Sequence, residues 1–515
     1  MDNVTLNSTQ PSPSQGDLKA KNIADMLIKA TQAMQNNDFE TADLISLKLV
    51  QAAPDNINVL QLASLSAAHR GRLVEARLYA DKALSLSSNN SIILKNLLNI
   101  YKQLNDYNKA LALGYKAVEL NPLDESAFFN IGLVYNDLGM YELAKANCEQ
   151  SLLLNKDLPQ AKFLLAETNL ALGNFKEGWN FYTSRFDLND SLTQIISLYK
   201  APRFIPTDNY DEDLQALDNK TVVFHCDQGY GDSIQFSRFI KLFEERFPST
   251  KYYIGTDLQI LQLFDATFKS NKNLVKVTNS PTDIKDISYF IALGDLPRLL
   301  NIDSIEKITP PTEFSLNSEV VSHWKKGLVE LGKQNLLVGL AWAGSPAHKN
   351  NLKRSLPFHQ IRPLFNIEGT KIFNLQYKGS AYEELYCSPE YQKVVDFTPH
   401  MFNIAATADF LPALDVLVTC DSMIAHLAGS LGIKTYLLLA KPTDWRWGIK
   451  GDSSPWYPSI TLIRQPDFGD WNSVIMEVVE RLKVDAKNKA SNKEPCVDEV
   501  AELEVDELAS DVELG

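Results

Sequence analysis

VLVTCDSMIAHLAGSLGIKTYLLL, residues 416–439, opens with a β-branched apolar run, Val416, Leu417, Val418 and Thr419, that reads as a buried strand. Asp421 and Ser422 then supply N-cap chemistry for a short helix, and Gly432 stops it. A second apolar run, Thr435 to Leu439, follows at once. Strand, helix and strand in so little chain make a βαβ unit, whose parallel strands are buried on both faces. The helix N-terminus falls at the carboxyl end of the first strand, where its free N–H groups and dipole favour a phosphate or other anion. Taken alone, the unit reads equally well as a structural one whose cap only caps.

The rest of the chain gives it context. At 515 residues the chain is too long for one core, and about two to four domains are expected. A hydrophobic content of 45% marks a globular protein. The net charge of −14 argues against nucleic acid or an anionic membrane surface as the main partner. No apolar run approaches the length of a membrane span. The N-terminus, MDNVTLNSTQPSPSQGD, has neither a basic n-region nor an apolar h-region, so no secretory signal is expected. The five cysteines, Cys148, Cys226, Cys387, Cys420 and Cys496, never form a C-x-x-C pair and read as buried reduced thiols, which points to the cytoplasm.

Residues 1–17, rich in Ser, Thr, Asn, Gln and Pro, read as a disordered tail. From there to residue 185 the chain repeats itself. Ala42, Ala76, Ala110 and Ala144 lie 34 residues apart, and Gly178 keeps the step. Gly71, Asn105, Gly139 and Gly173 form a second register, and Leu86, Leu120 and Leu154 a third. Pro54 and Pro122 lie two periods apart, with Ser88 between them. The pattern resembles the tetratricopeptide repeat, a helix–turn–helix unit with small residues where its helices touch. Roughly four repeats make a stable α-solenoid, a form that commonly grips a peptide or protein, though a purely supporting stack is the alternative.

Residues 186–219 read as a connector, in which Asp211-Glu212-Asp213 is expected to be solvated linker rather than a metal-holding triplet. Residues 220–330 read as an α/β domain with strands at Thr221–Phe224, Tyr252–Ile254, Leu274–Val277 and Tyr289–Ala292. Gly229 and Gly231 let the loop after the first strand turn sharply or pass close to a ligand, and Asp232 stands where that loop becomes a helix. The loop lacks the third glycine of a dinucleotide fingerprint and the lysine of a P-loop. Residues 331–483 read as a second α/β domain, with a strand in Leu336–Ala341, a basic loop carrying Lys349, Lys353 and Arg354, and strands at Phe373–Gln376 and Val394–Val395. Residues 484–515 read as an acidic disordered tail.

Together the two α/β halves resemble the GT-B glycosyltransferases, and most closely the heptosyltransferase-like domain that follows tetratricopeptide repeats in bacterial proteins. The residues that carry this are Gln228-Gly-Tyr-Gly-Asp-Ser-Ile-Gln-Phe-Ser-Arg-Phe, Val338-Gly-Leu-Ala-Trp-Ala-Gly-Ser-Pro-Ala-His-Lys-Asn, Arg354-Ser-Leu-Pro, Asp421-Ser-Met-Ile-Ala-His-Leu-Ala-Gly-Ser-Leu-Gly and Asp444-Trp-Arg-Trp. Some proteins of this plan are flagellin glycosyltransferases that add a nonulosonic acid. The O-linked N-acetylglucosamine transferases look similar in plan, but their catalytic sequence is not seen here.

The resemblance implies a fold of tetratricopeptide α-solenoid followed by a GT-B body of two Rossmann-like domains, α + α/β overall. It implies Asp232 as catalytic base. For the donor it implies Gly229, Gly231, Trp342, Gly344, Ser345, Lys353, Arg354, Gln376, Asp421, Ser422, Met423, His426 and Trp445. His426 reads equally as a helix histidine packed against its neighbours, and Trp445 as core. No cofactor or metal is implied, the donor being a nucleotide-activated sugar, and the histidines show no ligand spacing. The expected function is inverting transfer of a sugar to Ser or Thr of a polypeptide held by the repeats, with flagellin a fitting acceptor. The alternatives are an enzyme of the same fold acting on lipopolysaccharide or another glycan, and a non-catalytic repeat scaffold with a degenerate body.

Overall fold

The computed structural model describes residues 15–188, 199–207, 209–348 and 350–491. Most of the N-terminal and acidic tails, Lys349 and Cys496 therefore lie outside the described residues. The chain divides into two compact units, residues 1–164 and 165–515.

The first unit is a run of helices: α1 (Gln15–Gln35), α2 (Phe39–Ala52), α3 (Ile57–His69), α4 (Leu73–Leu86), α5 (Ser91–Gln103), α6 (Tyr107–Leu120), α7 (Glu125–Asp137), α8 (Tyr141–Leu154) and the start of α9 (Pro159–Leu172). Each register of the repeat has a physical task. Ala42, Ala76, Ala110 and Ala144 are wholly buried where a larger side chain would hold the helices apart. Asn37, Gly71, Asn105 and Gly139 each take a positive φ, between 59° and 76°, in the tight turn between paired helices. Leu86, Leu120 and Leu154 are the last residues of their helices. A further register was not singled out from the sequence: Asn56, Asn90 and Asp124 cap α3, α5 and α7 by accepting first-turn N–H groups. The array opens three residues earlier than the expected boundary at 18, since α1 begins at Gln15.

The second unit opens with the end of α9 and with α10 (Phe175–Tyr182), so these helices, expected to close the repeats, belong to the body. Trp179 and Tyr182 of α10 pack edge-on against Phe236 and Trp445. Just beyond, the buried Arg185 is paired with Asp227 at 2.8 Å and Asp295 at 2.7 Å, and Arg203 shares Asp295. The expected linker triplet forms the first turn of a helix, Tyr210–Leu217, in which Asp211 and Glu212 are solvated as expected. Asp213 within it is buried and accepts the Thr207 N–H at 3.0 Å, which is why the segment folds back rather than extending into water.

Two parallel sheets follow. The first has the order β3-β2-β1-β4, from β1 (Thr221–His225), β2 (Lys251–Gly255), β3 (Leu274–Thr278) and β4 (Tyr289–Ala292). The second has the order β10-β9-β8-β5-β6-β7, from β5 (Leu336–Ala341), β6 (Thr370–Asn374), β7 (Val394–Asp396), β8 (Val416–Cys420), β9 (Thr435–Leu439) and β10 (Ile460–Arg464). β5, β8 and β9 are buried throughout, as strands covered on both faces must be. The expected strand at Phe373–Gln376 ends at Asn374, and β10 was not foreseen. The final helix, Trp471–Ser491, runs past the expected boundary at 483 because Val479, Leu482 and Ala486 still face the core beneath β5. This is the α + α/β architecture the sequence implies, with helical repeats ahead of parallel-sheet halves.

Candidate functional site

β1 and β8 are interior strands of their sheets, and each ends in a loop that feeds a short helix, Tyr230–Ser237 and Met423–Ser430 respectively. The two helices pack against each other. Contact is closest at Gly231, where a Cβ atom would lie 2.7 Å from His426 Cδ2. The glycine is therefore needed for the approach of a neighbouring helix, not for passage of a ligand. Arg238 strengthens the junction by donating to the Trp456 carbonyl at 2.9 Å, with its guanidinium over the Tyr457 ring.

Asp232 stands in the first turn of the 230–237 helix. Its Oδ2 accepts the Gly229 N–H at 3.1 Å, which caps the helix. Its Oδ1 pairs with Nη2 of Arg446 from the other half. Arg446 also donates to Asp444 Oδ1 at 2.9 Å and to Gln235 Oε1 at 3.0 Å. Burial works against its charge, but Asp232 and Asp444 outweigh that and hold the guanidinium protonated. The Asp444 carboxyl is likewise disfavoured by burial, yet Arg446 keeps it below the ordinary carboxylate range.

Around the 423–430 helix the charges are set differently. Asp421 is pushed up to about 6 by burial and by the nearby Asp444, against the pull of the Trp447 side chain, Arg354 and Arg446. Ser422 takes the N-cap position but makes no side-chain capping bond, and its hydroxyl lies 3.5 Å from Thr419 Oγ1. Arg354 lies against Gly344, whose Cβ position would be 2.7 Å from the guanidinium. Arg354 Nε is buried and has no hydrogen-bond partner among the described residues. An uncapped helix N-terminus beside two arginines is suited to an anion.

Several residues expected at the donor do other work. His426 is buried, 3.0 Å from the Tyr457 hydroxyl, and its ring is 5.1 Å from that of Trp447. Burial, then Arg446, push its pKa down to about 3, so it is neutral at physiological pH and packs the junction. Trp445 is buried among Trp179, Tyr182 and Trp456. Trp342 is wholly buried against Phe358 in the core of its half. Gln376 is buried too. Its Oε1 accepts the Trp342 and Ala343 N–H groups at 3.0 and 2.8 Å, and its amide donates to the Ala343 and Tyr377 carbonyls, so it braces the turn after β5. Gly229, Ser345 and Lys353 are exposed, and Met423 is half-buried. Of the cysteines, Cys387 is exposed, which corrects the expectation of uniformly buried thiols.

The residue that sequence reasoning missed is Arg446. Its only local signal is a cation set between two tryptophans. Tyr182 was missed as well: its hydroxyl donates to Gln228 Oε1 at 2.9 Å and receives Arg446 Nη2 at 3.4 Å. Among the described residues no helix is long and apolar enough to cross a membrane.

Comparison with known proteins covers the chain unevenly. The tetratricopeptide repeat model matches residues 95–122 and 125–158. Protein FlbA of Caulobacter vibrioides is 25% identical over 458 residues, covering 84% of this chain and 74% of that protein. Among solved structures, MamA is 17% identical with a TM-score of 0.27, covering 32% of this chain and 96% of that one. The protein TTC0263 of Thermus thermophilus, described as a thermophilic TPR protein, is 20% identical with a TM-score of 0.31, covering 32% of this chain and 90% of that one. The helical array of this chain is built of tetratricopeptide repeats.

Proposed function

We propose that this chain is a protein O-glycosyltransferase of the GT-B kind, in which the repeats hold a polypeptide and the body moves a sugar onto its Ser or Thr from a nucleotide-activated donor. The observation that carries the reading is the meeting of Asp232, at the carboxyl end of one parallel sheet, with Arg446, beside the helix N-terminus at the carboxyl end of the other. A base and an anion site from opposite halves are what direct displacement at an anomeric carbon needs.

In this scheme the Asp232 carboxylate takes the proton of the acceptor hydroxyl as its oxygen attacks the anomeric carbon. The bond to the nucleotide breaks with its electron pair, and the phosphate charge is met by Arg354, Arg446 and the first turn of the 423–430 helix. A single displacement inverts the anomeric centre, and no step calls for a metal. Flagellin, with a nonulosonic acid as the sugar, is the acceptor to try first. The tetratricopeptide repeats support a polypeptide acceptor over lipopolysaccharide or another glycan.

One observation favours the rival scaffold reading: Asp232, His426 and Trp445 all have partners within the protein. The deciding measurement is a thermal-shift screen against UDP, ADP, GDP and CMP, alone and as sugar conjugates. Selective stabilisation by one of them, lost in Arg354→Ala, supports a donor site and names the donor class. No response to any supports the scaffold.

A further inference from the structure

Asp232 has both oxygens engaged, Oδ2 by the Gly229 N–H and Oδ1 by Arg446. Both oxygens are thus already turned toward donors within the protein rather than toward an incoming hydroxyl. Arg446, however, does not depend on Asp232 for its position. Its Nη1 is held by Asp444 at 2.9 Å and its Nε by Gln235 at 3.0 Å, so Nη2 can change partner while the group stays in place. The pair also borders water, with the Arg446 side chain 12% and the Asp232 side chain 22% exposed. Arg446 adjoins Trp447, whose ring lies 5.1 Å from that of His426, one turn into the 423–430 helix, and the guanidinium's charge reaches Asp421 just ahead of that helix. An anion bound there would be drawn to the same guanidinium that holds Asp232. Arg354, with its buried Nε without a partner, supplies a second cation for that anion.

We propose that Arg446 is a positioning residue shared between base and donor: the phosphate of a bound nucleotide competes with Asp232 for Nη2, so that nucleotide binding releases the carboxylate. The proposal rests on the glycosyltransferase reading above. Release would coincide with arrival of the leaving group, so the base is freed only while a nucleotide occupies the site.

The test is a double-mutant cycle in nucleotide binding, read by calorimetry on the full chain with UDP, ADP, GDP and CMP. If Asp232 occupies Arg446 about nine-tenths of the time, apparent affinity is lowered about tenfold. Asp232→Asn is therefore expected to tighten binding on the order of tenfold. Arg446→Ala is expected to weaken it, and adding Asp232→Asn to Arg446→Ala is expected to change nothing more. An equal gain from Asp232→Asn in both backgrounds would show plain charge repulsion and overturn the proposal. So would binding of a nucleotide with no gain from Asp232→Asn, and in that case the glycosyltransferase reading stands. No binding of any nucleotide to any variant would overturn both. If Arg446→Ala does not fold, Arg446→Lys replaces it. Lysine keeps the charge but lacks the fork, so the gain from Asp232→Asn should shrink severalfold.

Discussion

The helices Tyr230–Ser237 and Met423–Ser430 begin alike, each after an interior parallel strand, yet they treat their first turns in opposite ways. The first is closed by its own carboxylate: Asp232 caps Gly229 and so neutralises the end of the dipole. The second has a serine at the N-cap that does not cap, an aspartate raised toward neutrality and two arginines nearby. One end is finished with a negative charge, and the other is left for one to arrive. The same βα geometry thus yields a candidate base on one side and a candidate anion site on the other.

The largest test of this contrast is Asp232→Asn. Transfer should fall by about 10²–10⁴-fold, the range expected for loss of a general base, while a nucleotide still binds. Undiminished transfer in that variant would remove Asp232 from the chemistry. Next comes the contact between the helices. Gly231→Ala sets a methyl 2.7 Å from His426 and should cost about 1–3 kcal/mol in urea unfolding, whereas Gly229→Ala, which meets only Asp232 Oδ2 at 3.3 Å, should cost far less. Equal costs would mean that the close approach is not what holds the junction.

A smaller effect is expected at Asp421. A carboxyl whose folded pKa lies near 6 holds its proton through a range where the unfolded chain has released it. Its penalty is thus absent below about pH 4 and fully present above about pH 6. Asp421→Asn should then gain on the order of 1 kcal/mol at pH 7–8 after allowance for solvent screening, and nothing near pH 4. A gain that is independent of pH would contradict this. The smallest effect is that of Ser422→Ala. Because the hydroxyl makes no capping bond, the melting temperature should move by no more than a few tenths of a kcal/mol allows, against the ~1 kcal/mol of an ordinary cap.

What could be read from the sequence was whatever is written locally. The 34-residue step is visible because a touching helix pair needs alanine and a left-handed turn needs glycine or asparagine, each at a fixed place. The strands are visible because a parallel sheet buried on both faces needs unbroken apolar runs. The loops of the candidate site were legible, and the packing around its side chains was not. Trp342, Gln376, His426 and Trp445 looked like ligand contacts, but Phe358, the turn after β5, Tyr457 and Trp179 fill their surroundings, and that depends on tertiary neighbours. Arg446 shows the converse. Its partner Asp232 lies 214 positions away, so the flanking tryptophans and Asp444 do not by themselves reveal what it pairs with. The end of the repeats was misplaced for a related reason: Gly173 and Gly178 keep the period after the helices have joined the body.

That last feature decides how the protein could be taken apart and rebuilt. A chimera that exchanges one helical array for another is naturally cut where the sequence period ends, near residue 185. Such a cut would remove Arg185 from between Asp227 and Asp295, leaving the buried Asp227 without its cation and Asp295 with Arg203 alone, at a cost of about 3–5 kcal/mol, and would empty the sites of Trp179 and Tyr182. A graft that keeps the native chain from α9 onward spares all of these. The last helical hairpin is thus best regarded as part of the sheet-bearing unit and not of the array that precedes it in the chain.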